Sequence, residues 1–144
     1  MSHVAKSVTI SNDPTRIIEY IADVDNHPAF LGALKTVSKL SGDPRKPGTT
    51  WDWTFTMAGI LLSGRAETVA YEPGKKYSFK TTSGVESTFV YTAEGGANGT
   101  RLTIDVTYKI PQTVAGKMQT AIVEKLNEDA AYAAVENLKA ILDT

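Results

Sequence analysis

The chain has 144 residues, with 15 basic and 16 acidic side chains, no cysteine and a hydrophobic content of 42%. Near-neutral charge argues against electrostatic capture of nucleic acid or of an anionic membrane, and the lack of cysteine excludes disulfides and thiolate chemistry. No apolar run approaches the roughly 20 residues of a membrane helix, and MSHVAKSVTI lacks the apolar region of a secretion signal, so a cytoplasmic protein with one domain over residues 1–144 is expected.

The opening HVAKSVTIS sets Val4, Lys6, Val8 and Ile10 against Ala5, Ser7 and Thr9, the period of a strand. At SNDPTRIIEYIADV the period changes to that of a helix, with Asp13 placed to cap it and Pro14 suited to its first position. DNHPAFLGALK reads as a second short helix whose apolar side is Phe30, Leu31 and Leu34. A strand near Thr36–Leu40 leads to the turn SGDPRKPG, and β-type segments dominate from there.

GTTWDWTFTMAG, Gly48–Gly59, alternates Trp51, Trp53, Phe55 and Met57 with small polar residues, and AGI then reverses the chain. Strands are expected over Leu62–Tyr71, in YSFKTTS, in ESTFVYTAE and in TRLTIDVTYKI, where Leu102, Ile104, Val106 and Tyr108 share one face. The turns between them are EPGKK, the region of Gly84 and GGANG, and Pro111 stops the last strand. Asn98-Gly99-Thr100 has the form of a glycosylation tripeptide but sits in a hairpin with no secretion signal before it.

From Thr113 to Leu142 the sequence predicts one helix of about 45 Å, at roughly 1.5 Å per residue. Val114, Met118, Ile122 and Leu126 point one way, whereas Ala130, Ala134, Leu138 and Ile141 point in a direction rotated by more than about 90°. Either the two halves meet different surroundings or the helix bends near Asn127. Strand, two short helices, six strands and a long helix define an α+β architecture, with a seven-stranded antiparallel sheet carrying the helix on its concave face.

This order of elements comes with several local signatures. They are the run Ile17-x-x-Tyr20-Ile21-Ala22-Asp23-Val24-x-Asn26-x-Pro28-x-Phe30, Gly48-Thr49-x-Trp51, the segment YEPGKKYSF from Tyr71 to Phe79, Gly99-Thr100-Arg101-Leu102, and ENLKAIL near the end. Together they resemble the START-like (SRPBCC) superfamily, in its polyketide cyclase/dehydrase and lipid transport branch. The resemblance implies the Bet v 1/START-like helix-grip fold, a curved sheet wrapped around the C-terminal helix. That family includes lipid and hormone carriers, aromatase/cyclases and a few hydrolases, and has no universal catalytic motif, so the likeness names no reaction.

On this resemblance the Trp51/Trp53/Phe55/Met57 face looks into the space beneath the long helix. The same face would serve plain core packing or the wall of a ligand cavity, for which aromatic rings and a thioether suit a flat, greasy molecule. Further candidates for the wall are Phe30 and Leu34 on the second helix, Phe79, and either Phe89 with Tyr91 or Val90 with Thr92. Tyr108, Met118 and Ile122 complete the set. The strand SGRAETVAY offers Arg65, Glu67, Val69 and Tyr71 on one face and Ala66, Thr68 and Ala70 on the other; Arg65 and Glu67 would either bind a polar ligand group or form a solvated ion pair outside.

His3 and His27 have no metal-ligand spacing, no G-x-S-x-G elbow is present, and His27 before Pro28 reads as a capping or loop residue or as a general base. The expected activity is binding of a hydrophobic or aromatic small molecule, with no cofactor or metal, no nucleic-acid partner and no transmembrane segment; a homodimer is left open. The alternatives are a cyclase or dehydratase, in which a tyrosine or carboxylate moves protons, and a co-chaperone-like interaction module with an exposed patch and no usable cavity.

Overall fold

The computed structural model describes residues 1–144. Seven strands form one antiparallel sheet: β1 (Ser2–Ile10), β2 (Leu34–Ser38), β3 (Thr50–Met57), β4 (Ile60–Glu72), β5 (Lys76–Thr81), β6 (Ser87–Gly96) and β7 (Gly99–Tyr108). Their order is β1-β7-β6-β5-β4-β3-β2, so consecutive strands from β2 to β7 are neighbours and only β1 crosses to pair with β7. Alternation fixes which face is inside. On β7, Leu102, Ile104, Val106 and Tyr108 are buried while Arg101 is exposed. A slip of one residue would bring all four to water, and so the register Val4↔Val106↔Phe89 across β1, β7 and β6 is strongly specified.

Two irregularities redirect side chains. Between Thr68 and Ala70 the β4–β5 register shifts, placing Thr68 opposite Phe79 and Tyr71 opposite Tyr77. The extra residue at Val69 switches the parity. Tyr71 therefore turns to the helix side, where its hydroxyl donates to Glu19 at 2.8 Å, while Arg65 stays outside. The face expected to hold Arg65, Glu67, Val69 and Tyr71 together is thus split by a bulge. At the β3–β4 hairpin, Ala58 (φ 52°) and Gly59 (φ 81°) are both left-handed, as a two-residue turn of the I′ kind requires.

Helix α1 (Pro14–Ala22) begins as expected, with the Asp13 carboxylate accepting from the Arg16 backbone N–H at 2.9 Å, and it buries Ile17, Ile18, Ile21 and Ala22. A 3-10 turn over Val24–Asn26 leads to α2, which is only His27–Phe30. The expected second helix is shorter than its apolar pattern implied. Leu31 is extended, with φ −97° and ψ 91°, and Leu34 lies in β2 opposite Phe55.

The long C-terminal helix is also corrected. It is interrupted: α3 covers Gln112–Ala115 and α4 covers Thr120–Leu142. Gly116 ends α3 with its N–H on the Gln112 carbonyl, and Gln119 is extended, with ψ 141°, before α4 starts. Glycine disfavours helix by about 1 kcal/mol relative to alanine, which suits a break at this point. Helix α4 runs unbroken from Thr120 to Leu142. Val114 belongs to α3, and the inner stripe of α4 is Val123, Asn127, Ala131, Ala134, Val135 and Leu138. Its 23 residues span roughly 35 Å.

Helix α4 packs along β1 and β7 and touches α2, whereas α1 covers β5 and β6. Polar contacts hold α4 to β1 at both ends. Ser2 donates to Glu124 at 2.7 Å and Lys6 pairs with Glu128 at 3.3 Å near one end. Near the other, Lys139 donates to the Thr9 carbonyl at 2.7 Å and the Ser11 N–H to Asp143 at 2.8 Å. No helix is long and apolar enough to cross a membrane.

Candidate functional site

Strand β3 supplies the first wall of a recess between the sheet and the first half of α4. Its large side chains face small partners on β4: Trp51 lies opposite Ala66 and Trp53 opposite Gly64. That complementarity lets both indoles lie inside, 2% and 6% exposed. A Cβ on Gly64 would come within 2.6 Å of the Trp53 ring and 2.1 Å of the Ser83 carbonyl oxygen. Phe55 and Met57 continue the wall toward the hairpin.

Strands β5 and β6 supply the floor. Phe79 and Phe89 are register partners, stacked with centroids 4.7 Å apart, and Trp51 meets Phe79 edge-on at 5.5 Å. Ile104, Val106 and Tyr108 of β7 and Val4 of β1 close the far side. The roof is Asn127, Ala130 and Ala131 of α4, and the rim is the α2–β2 connection, Leu31–Leu34. Within lies about 110 Å³ of room for water-sized molecules, several times what one water requires. The region is not packed solid.

Of 21 lining residues, 16 are hydrophobic, and none is Asp, Glu, Lys or Arg. The polar lining is therefore short. Thr81 and Ser87 bond each other at 2.9 Å, and Thr81 also donates to the Val85 carbonyl. His27 is 1% exposed and ringed by Phe30, Trp51, Tyr77, Phe79 and Tyr91, with ring centroids 5.4 to 6.5 Å away. Its Nε2 lies 2.8 Å from the Ile21 carbonyl oxygen, an acceptor only, so Nε2 carries the proton and Nδ1 is the basic lone pair. Burial among rings lowers its pKa to about 4, against the smaller opposing effects of that carbonyl and of Asp23. The imidazole is neutral at neutral pH.

Three buried polar groups have no partner: the Trp53 indole N–H, the Asn127 amide nitrogen and the Tyr91 hydroxyl. Trp53 and Asn127 line the recess; Tyr91 does not. Burial raises the Tyr91 phenol far above its ordinary range, with a further contribution from Tyr77. Tyr77 is raised to about 12, chiefly by burial, while its hydroxyl bonds Thr68 at 3.1 Å.

The structure brings Leu34, Trp51, Trp53, Phe55, Met57, Phe79, Phe89 and Tyr108 of the expected residues around this one recess. Phe30 and Tyr91 are fully buried beside it, their rings edge to face at 6.2 Å. Met118 lies partly buried in the α3–α4 connection, outside the recess. Ile122 is 48% exposed, because the inner stripe of α4 runs through Val123 instead. The open choice on β6 resolves to Phe89 with Tyr91. Arg65 is outside, 3.1 Å from its cross-strand partner Asp52, in a shallow polar groove with Lys39.

Sequence reasoning missed His27 and Asn127 as wall residues, naming Asn127 only as the place of a bend. The spacing Val123–Asn127–Ala131, four apart on one helix face, carried the signal for Asn127. The Thr81–Ser87 pair had none, since it depends on how the 82–86 loop folds back. No cluster of three or more His, Asp or Glu side chains forms that could hold a metal ion.

Residues 1–143 match the sequence model of the family described as polyketide cyclase / dehydrase and lipid transport. Among solved structures the chain is similar to a protein of Thermus thermophilus, with TM-score 0.81 and 16% identity over 98% of this chain and 97% of that one. It is similar to major latex-like protein 151 of Panax ginseng, with TM-score 0.72 and 16% identity over 98% and 97% of the two chains. The Zhui aromatase/cyclase of Streptomyces sp. R1128 gives TM-score 0.72 and 15% identity over 98% and 93%. At such identities the likeness is one of fold. No curated protein sequence matches the chain.

Proposed function

The chain belongs to the polyketide cyclase/dehydrase and lipid transport family, and from that premise we propose that it holds a hydrophobic or aromatic small molecule in the recess between β3, the β5–β7 floor and α4. The observation that carries the reading is the wall itself, 16 of 21 residues hydrophobic around unfilled room. Binding would be driven by burial of apolar surface, at about 25 cal/mol per Å² before ordering costs are subtracted.

The wall favours holding over converting. A cyclase or dehydratase needs a group that gives or takes a proton beside the reacting atoms. No carboxylate lines the recess, Tyr91 stands off it, and Tyr108 is the one phenol in its lining. His27 is the one basic group, and its low basicity suits an uncharged wall. The interaction-module reading calls for a filled interior, which the open room disfavours.

Trp51 and Trp53 are the only tryptophans and both line the recess, so occupancy reports on intrinsic fluorescence. Titration with flavones, naphthalene derivatives and fatty acids is expected to quench that emission saturably for at least one aromatic probe, with a one-to-one complex in native mass spectrometry. Linear quenching by every probe, with no complex detected, overturns the proposal.

A further inference from the structure

We propose that the occupant is a neutral ring compound bearing a hydrogen-bond-accepting oxygen, a ketone or an ether, and that free carboxylates are selected against. This rests on the reading that the recess holds a small molecule, and it follows from which polar groups of the wall are already engaged.

The donors come first. Trp53, 6% exposed, presents an indole N–H that can only donate, and no acceptor is within reach of it. The amide nitrogen of Asn127 is in the same position on the opposite side of the recess. A buried donor without a partner is costly, and an acceptor on the ligand removes that cost at the moment of binding. The donors of Thr81, Ser87 and His27 make no such demand. Thr81 and Ser87 satisfy each other, the Ser87 N–H donates to Thr81 Oγ1 at 2.9 Å, and the single N–H of the His27 ring is held by Ile21. The two unpartnered N–H groups of Trp53 and Asn127 therefore call for an acceptor on the ligand, while Nδ1 of His27 is the wall's own free acceptor.

Charge decides the second half. A carboxylate entering this recess would lose its hydration and meet no cation on the wall. Lys6, on the same face of β1 as the lining residue Val4, is paired with Glu128 at 3.3 Å. Two neutral N–H groups do not replace the hydration of an anion. The stacked Phe79 and Phe89 rings and the indole of Trp51 meanwhile favour a flat body for the ligand.

The test uses three probes of nearly equal shape, titrated calorimetrically into the whole protein at neutral pH. They are 2-acetylnaphthalene, 2-isopropenylnaphthalene, in which a methylene replaces the oxygen, and 2-naphthoate. The ketone is expected to bind roughly 2- to 10-fold more tightly than the alkene, the range of a net hydrogen bond, and the carboxylate at least about tenfold more weakly than the ketone. In Asn127→Leu, and separately in Trp53→Phe, the ketone-to-alkene ratio should fall toward one, whatever change the altered wall brings to the affinity of the alkene itself. Asn127→Leu conserves size on a helix, so it supplies the answer if Trp53→Phe fails to fold. Equal affinity of ketone and alkene for the unaltered protein, or tightest binding of the carboxylate, overturns this inference and leaves the cavity reading standing. Failure of all three probes overturns this inference; the cavity reading falls with it only if the flavones and fatty acids fail as well.

Discussion

His27 gives the sharpest quantitative consequence of the buried aromatic box. In the unfolded chain its imidazole takes a proton near the ordinary value of 6.5, whereas in the fold it resists protonation until about pH 4. Between those values the unfolded state binds more protons, so the folded state loses stability as pH falls through the window. At about 1.4 kcal/mol per pH unit, the window amounts to roughly 3 kcal/mol, fully present above pH 6.5 and lost by pH 4. Of the groups facing the ring, Asp23 opposes the shift and so limits the loss, while Tyr77 and Tyr91 stay neutral throughout. The assay is urea unfolding at several pH values for the unaltered protein and for His27→Gln. The glutamine amide keeps a donor for the Ile21 carbonyl and cannot titrate. Carboxylates that titrate in both proteins cancel in the difference. The stability difference between the two should therefore shrink by roughly 3 kcal/mol from pH 7 to pH 4. Parallel curves over that range would refute the argument, as would a His27 imidazole resonance that titrates near 6.5.

Gly64→Ala would drive a Cβ to 2.1 Å from the Ser83 carbonyl oxygen and 2.6 Å from the Trp53 ring, and backbone cannot yield as a side-chain tip does. It should cost about 1–3 kcal/mol in urea unfolding, whereas Gly32→Ala, with nothing within 4 Å, should shift stability by less than about 0.5 kcal/mol. Ile122→Ala should leave both stability and probe affinity nearly unchanged, within about 0.5 kcal/mol, because the side chain projects to solvent from α4; a clear loss of affinity would place it at the ligand after all. Asp13→Ala removes the carboxylate that accepts from Arg16 and should lower stability by about 1 kcal/mol, read from the urea midpoint.

Where the sequence was legible, one physical signal acted alone. Alternation on β7 marks the buried set Leu102, Ile104, Val106 and Tyr108 because a strand has only two faces. Asp13-Pro14 marks the start of α1 because both residues act within a single turn. Legibility failed where two signals competed. Apolar residues at helical spacing ran on through Leu34 and through Gly116, yet Leu34 pairs with Phe55 and Gly116 ends a helix. Ile122 and Leu126 share a direction with Met118 only on an uninterrupted helix, and the turn at Gly116–Gln119 cancels that phase relation. The bulge at Val69 is a property of strand pairing, which no window of β4 read by itself contains. The same holds for the site. Its β3 wall lay in one contiguous stretch, but the engagement of Thr81 with Ser87 and of His27 with Ile21 arises only when distant segments meet.

The room beneath α4 has a local cause. The two halves of the helix meet different surroundings. Toward its C-terminus, Ala134, Val135 and Leu138 are sealed into one cluster with Ile17, Ile21 and Leu102, all at most 1% exposed. Toward its N-terminus the helix offers Asn127, Ala130 and Ala131 to the side of the sheet that carries both tryptophans. Small side chains meet large rings there, but the rings are already seated against Gly64 and Ala66 on β4 and do not rise to fill the gap. An apolar void forfeits dispersion contacts along its whole lining, at a cost on the order of a few kcal/mol. A chain organised for stability alone would close this half of the helix as it closes the other. The proposed occupant, supplying the missing contacts and an acceptor for Trp53 and Asn127, would account for the open half, the small residues on α4 and the unpartnered donors together.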